Sequence, residues 1–192
     1  MATALSVNLN KIALLRNARD LELPSVVEAA DICINAGAHG LTVHPRPDQR
    51  HIRRYDVYAL AERAAGRVEY NIEGNPFDDF MDLVLAVRPT QCTLVPDAPG
   101  QKTSDHGWDL MRDRQRLQPL VARLQAAGIR VSLFLDPEPT QVELAHALGV
   151  ERIELYTEPY AAAHGTGTSA EALIPYRAAA QRARELGVGV NA

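Results

Sequence analysis

Three observations predict an α/β fold for this sequence, a (β/α)₈ TIM barrel read here as far as its seventh strand. Short apolar runs alternate with amphipathic stretches, glycine recurs at the passage from stretch to run, and polar residues gather just after the runs. The runs lie at residues 5–9, 40–44, 67–72, 91–95, 129–135, 152–156 and 188–191. They are rich in Val, Ile and Leu, as expected for parallel strands covered on both faces.

The intervening stretches read as helices. The first opens at Pro24, a favoured first helical residue, and carries Val26, Val27, Ala29, Ala30, Cys33 and Ile34 before Gly37. The second runs from Tyr55 to Gly66, and the third from about Pro76 until Pro89 breaks it. The fourth runs from about Trp108 to Gly128, the fifth from Glu138 to Gly149 and the sixth from Ser169 to Gly187. The glycines at these ends suit a left-handed turn out of a helix into the next strand.

Short strand–helix alternation fits both a doubly wound open sheet and a barrel. The glycine-rich dinucleotide fingerprint is missing after the first strand, where the chain reads Asn8-Leu9-Asn10-Lys11. Polar residues follow nearly every strand: Asn8 and Asn10, His44 and Arg46, Glu73, Asp97, Asp136, and Thr157 with Glu158. A barrel collects its strand ends around one mouth, which favours a single barrel domain over residues 1–192, with the eighth strand and final helix absent from it.

An apolar content of 46% is enough for a sizeable core, and a formal charge of -4 argues against nucleic acid as the partner. Positive charge is carried almost entirely by arginine; only Lys11 and Lys102 are lysines. The plain reading of that imbalance is codon bias. It nevertheless leaves few candidates for an enzyme-borne Schiff base, whereas arginine forks suit phosphate and carboxylate. Cys33 and Cys92 sit in apolar patterns and read as reduced core residues. Residues 1–7 do not resemble a signal peptide, and no apolar run approaches a membrane span. A soluble, cytoplasmic protein with no membrane partner is expected.

Four segments could carry chemistry. Residues 8–19 offer amides, one lysine and two arginines directly after the first strand, either as an ordinary polar loop or as part of a site. After the second strand come His44, Arg46 and His51, in a loop stiffened by Pro45 and Pro47. Imidazoles beside guanidinium groups suit proton transfer near a phosphate, and the same arginines would repel a metal ion, so no metal is expected. Glu73 ends the third strand; it is either a carboxylate paired to an arginine or a general base with a raised pKa at a desolvated mouth. Thr103 and Ser104 lie in a polar segment, residues 96–107, that reads as a mobile loop able to cover a ligand, and residues 163–168 form a similar loop after the sixth strand.

Taken in order, these segments resemble the signature of the pyridoxine 5′-phosphate synthase family. The matching pieces are residues 7–19 (VNLNKIALLRNAR), 37–52 (GAHGLTVHPRPDQRHI), 71–74 (NIEG), 92–96 (CTLVP), 131–136 (VSLFLD), 153–157 (IELYT) and 189–192 (GVNA). The resemblance implies condensation of 1-deoxy-D-xylulose 5-phosphate with 3-amino-2-oxopropyl phosphate to pyridoxine 5′-phosphate, releasing phosphate and water, with no cofactor. It implies acid–base roles for His44 and Glu73. It also implies that Asn8, Asn10, Lys11, Arg19, Arg46, His51 and Thr103 bind the deoxyxylulose phosphate. Some members have Asp-His where this chain has Asn10-Lys11, so polar contacts there must differ. The family assembles as homo-octamers. It also continues past the equivalent of Asn191-Ala192 with a Gly-His-Gly segment, carrying a third catalytic histidine, and an eighth strand. Without them the chain as written is expected to be inactive. Two rival readings are a phosphate-binding barrel aldolase or epimerase, and a partial barrel kept as a binding or assembly module. A Schiff-base aldolase would need a lysine on a central strand, and both lysines fall in loops.

Overall fold

The computed structural model describes residues 3–19 and 21–192. Met1 and Ala2, the start of the segment read for a signal peptide, and Asp20, in the stretch between the first strand and the second, lie outside the described residues. The chain forms two compact units, Met1–Cys92 and Thr93–Ala192.

The first unit contains β1 (Ser6–Asn8), α1 (Asn10–Asn17), α2 (Val26–Asn35), β2 (Gly40–Val43), α3 (Arg54–Ala64), β3 (Glu69–Gly74), α4 (Asp78–Val87) and the start of β4 (Gln91–Leu94). Its strands are parallel neighbours in chain order, with Asn8 beside Thr42 and Thr42 beside Asn71. The second unit contains α5 (Leu110–Ala126), β5 (Arg130–Leu135), α6 (Pro139–Ala147), β6 (Arg152–Leu155), α7 (Glu158–Ala163), α8 (Ser169–Leu186) and β7 (Gly189–Asn191). There too β5, β6 and β7 are parallel and sequential, with Phe134 beside Glu154 and Glu154 beside Asn191. Every expected strand is present, within three residues at each end.

Alternate strand residues face the helices and close the core. In the first unit Leu41, Val43 and Ile72 of the strands and Val57, Leu60 and Val84 of the helices are buried; in the second so are Val131, Leu133 and Ile153 with Leu117, Val142 and Ala179. Each fully buried Leu or Ile contributes about 1.5–3 kcal/mol relative to exposure. The helix ends follow the glycines. Gly187 shows the mechanism: with φ 74° it turns α8 into β7 while the Val188 N–H donates to the Ala183 carbonyl at 2.8 Å. Cys92 is buried, as expected, and burial pushes its thiol pKa up, whereas Cys33 is only half-buried. Among the described residues no helix is long and apolar enough to cross a membrane.

Two expectations about helices need correction. The first expected helix does not open on Pro24; α2 begins at Val26, because the Ser25 side chain accepts the Glu28 N–H at 3.2 Å and is the better N-cap. Much of the polar stretch after β1 is helix α1 rather than loop. Residues 164–168 form a loop as expected, and α7, a six-residue helix with no buried residue, lies between β6 and that loop.

Candidate active site

The site residues of the first unit are held at the C-terminal ends of β1, β2 and β3. Asn8 ends β1, and its Oδ1 accepts the Asn10 N–H at 2.9 Å, which turns the chain directly into α1. Asn10 Oδ1 in turn accepts the backbone N–H of His44 at 2.9 Å, joining the ends of β1 and β2. The two asparagines thus use their oxygens on the scaffold and have their amide NH₂ groups to offer a ligand.

His44 is buried, and its Nδ1 lies 3.9 Å from Glu73 Oε2. That separation is too long for a direct hydrogen bond. The imidazole pKa is pushed down to about 3, first by burial and then by Arg46, His51 and Arg50. The contact is therefore one between a neutral base and a carboxylate, not an ion pair. His51 stands with its ring edge toward His44, centroids 6.2 Å apart, and is lowered to about 4 by burial, Arg46 and Arg50. Its Nδ1 accepts the Ile52 N–H at 2.9 Å, which places the ring proton on Nε2. Arg46 is buried beside these rings, and Lys11, exposed on α1, contributes a small charge effect at His51.

Glu73 follows from the strand geometry and from what lies beside it. Asn71, two residues earlier on β3 and so on the same face, donates to Glu73 Oε1 and to Thr42 Oγ1, each at 3.4 Å. Gln91 Nε2 donates to Asn71 Oδ1 at 3.1 Å, and Thr42 Oγ1 pairs with Ser6 Oγ at 2.8 Å. A line of polar side chains thus crosses one face of the sheet and orients the carboxylate. Immediately after it, Gly74 is required by close approach: a Cβ there would lie 2.2 Å from the Phe80 ring.

Asn8, Asn10, His44, Arg46, His51 and Glu73 are thereby brought together, with Lys11 at their edge. Arg19 lies exposed just beyond the C-terminal end of α1. Thr103 belongs to the second unit, where it is exposed and its carbonyl accepts from Gln101 Nε2 at 2.8 Å. Ser104, its neighbour, donates to Asp97 at 2.8 Å. Among the described residues no group of three or more His, Cys, Asp or Glu side chains is arranged to hold a metal ion.

Sequence reasoning missed several groups. Arg16, Asn17 and Asp56 brace the loop after β2. Asn71 and Gln91 orient Glu73. In the second unit, burial pushes the Glu154 carboxyl up to about 7, against an opposing hydrogen bond from Thr93, so it can hold or release a proton near neutral pH. The available signal was a polar residue at every second position of otherwise apolar strands, Thr42 and His44, Asn71 and Glu73, Arg152 and Glu154, which marks one face of each.

The depressed histidines have a consequence for stability. Because the folded pKa values lie below the unfolded 6.5, the unfolded chain binds protons that the folded chain refuses between pH 6.5 and about 4. Stability is full above pH 6.5 and falls as pH drops through that window, by about 1.4 kcal/mol per pH unit for a fully buried group and less for the partly exposed His51. Urea unfolding at pH 4.5 to 6 should show His44→Gln losing stability with a slope one proton shallower than the parent. Equal slopes would mean that His44 is charged in the folded chain.

The family model for "Pyridoxal phosphate biosynthesis protein PdxJ" matches residues 5–192. A pyridoxine 5′-phosphate synthase of Xanthomonas campestris pv. campestris is 56% identical, over 100% of this chain and 78% of its own length. One from Albidiferax ferrireducens is 52% identical, over 100% of this chain and 79% of its own. Solved structures with TIM-barrel-like folds are similar in fold alone. A thiamine phosphate pyrophosphorylase from Pyrococcus furiosus has a TM-score of 0.54 at 15% identity, covering 98% of this chain and 84% of its own. A D-psicose 3-epimerase from Clostridium cellulolyticum has 0.53 at 10%, covering 98% and 84%. On the match over nearly its whole length and on these relatives, the chain belongs to the PdxJ family of pyridoxal phosphate biosynthesis proteins, a family of enzymes.

Proposed function

We propose that this protein condenses 1-deoxy-D-xylulose 5-phosphate with 3-amino-2-oxopropyl phosphate, giving pyridoxine 5′-phosphate with release of phosphate and water. The observation that carries the proposal is the neutral, buried His44 held 3.9 Å from Glu73 among arginines. Ring closure requires repeated proton transfer around a carbonyl and an imine, chemistry that an imidazole and a carboxylate can carry. Neutral His44 has a lone pair to accept a proton, and Glu73, oriented by Asn71, is a second acceptor within one water of it. The amine comes from the substrate, so no strand lysine is needed; Lys11 and Lys102 are both exposed.

In this reading Arg46 and His51 take the phosphorylated sugar, with Asn8, Asn10 and Lys11 beside them and Arg19 and Thr103 as further binding residues. The resemblance between the family and these segments supports those roles, and it supports a cytoplasmic homo-octamer built from single (β/α)₈-barrel domains that use neither metal nor cofactor. The test is an assay for pyridoxine 5′-phosphate from the two substrates. It would be run on this chain and on this chain joined to the part of the Xanthomonas relative that lies outside the match. Product from either supports the synthase. No product from both, with folding verified by circular dichroism, overturns it in favour of a binding module.

A further inference from the structure

Arg16 and Asn17, at the end of α1, make contacts that the residues discussed so far do not. The Asn17 side-chain nitrogen faces three backbone carbonyls of the loop after β2: His51 at 2.7 Å, Arg50 at 3.1 Å and Gln49 at 3.5 Å. Its Oδ1 accepts from Arg16 Nε at 3.1 Å. That second bond sets which end of the amide faces the loop, since the opposite orientation would put an oxygen against carbonyl oxygens. Arg16 is itself immobilised. Both of its terminal nitrogens donate to Asp56, at 2.5 and 2.8 Å, and Nη2 also reaches the His51 carbonyl at 3.3 Å.

The loop needs such a partner. Gln49 has φ 52°, in the left-handed region that non-glycine residues rarely occupy. The carbonyls of residues 49–51 converge on one point, and convergent carbonyls must find donors. The residues carrying those carbonyls are also the ones whose side chains act at the site. Arg50 and His51 both bear on His44, and His51 presents its Nε2 proton only while Nδ1 stays on the Ile52 N–H.

We propose that Asn17 is a positioning residue for substrate binding: its amide holds the 49–51 backbone so that Arg50 and His51 meet a phosphorylated substrate already arranged. The inference rests on the reading of His51 as a substrate-binding residue. Asn17 touches no reacting atom in this account. Its effect lies in the ordering that binding would otherwise have to supply, so it acts on KM rather than kcat.

The experiment is Asn17→Ala, read by thermal unfolding and ¹⁵N NMR of the imidazoles in this chain and by steady-state kinetics in whichever form, this chain or the extended one, makes product. Expected is a KM for the sugar phosphate raised about tenfold, the size of one or two lost hydrogen bonds, with kcat within about twofold. The His51 spectrum should move from the Nε2–H tautomer toward a mixture. Adding Gln49→Gly, which relieves the left-handed residue, should recover much of the KM, while Gln49→Gly alone stays near the parent. An unchanged KM and an unchanged His51 tautomer would overturn the proposal. So would a fall in kcat at constant KM, or a loss of activity that merely tracks the folded fraction. If neither the chain nor its extended form makes product, the synthase reading fails, and the His51 spectrum still decides whether Asn17 positions the loop.

Discussion

Glu73→Gln should lower kcat by about 10²–10⁴-fold while leaving the fold in place, the range expected when a positioned acid–base group is removed. Glutamine keeps the length and shape of the side chain, and its carbonyl oxygen still accepts from Asn71 Nδ2, so the polar line through Gln91, Asn71 and Thr42 survives. What is lost is the carboxylate opposite His44 Nδ1. Because His44 is already neutral, removing the neighbouring negative charge changes little in its protonation above pH 5, and the loss should appear in turnover rather than as a shifted acid limb. Glu73→Asp is the useful companion. It retains the charge but withdraws it by about one methylene, so a turnover between the parent and the glutamine variant would show that position matters as well as charge. Near-normal turnover of Glu73→Gln would remove this residue from the mechanism.

That Glu73 and His44 stood out in the sequence has a physical reason. A polar residue at the end of an apolar run is costly unless it does something there, and the strands themselves were marked by Val, Ile and Leu on at least one face. Helix α1 was hidden for the opposite reason. Its buried positions are Ala13 and Arg16, while Leu14 and Leu15 are exposed, so the segment shows no apolar stripe to read. An arginine in a core position makes sense only with its carboxylate partner in view, and Asp56 lies forty residues away in the chain. The same holds for Asn17, whose partners are backbone carbonyls and leave no trace in composition. The polar line on the sheet was legible in principle, as alternation within strands, but small residues such as Ser6 and Thr42 weigh little against their apolar neighbours. Helix α7, short and without a buried residue, has no periodicity to detect.

The Arg16–Asp56 pair carries the largest expected effect on stability. Both side chains are almost fully enclosed, 3% and 2% exposed, and the geometry is bidentate. The hydrogen-bonded Asp56 carboxylate holds the guanidinium pKa above its usual value. Asp56 also accepts the Arg53 N–H at 2.8 Å and so caps α3. Asp56→Ala strands a buried cation and uncaps a helix together, and should cost about 3–5 kcal/mol. At about 2–4 °C per kcal/mol for a chain of this size, the melting temperature should fall by roughly 10 °C, measurable by calorimetry. Replacing both partners by apolar residues, Arg16→Met with Asp56→Leu, should recover much of that loss, because no uncompensated charge remains. It should not recover the ordered loop, since Asn17 loses the Nε donor that orients its amide and His51 loses a donor to its carbonyl. A double variant that is stable yet binds substrate weakly would separate the two duties of Arg16. A double variant as unstable as Asp56→Ala would show instead that the guanidinium is needed to build the fold itself.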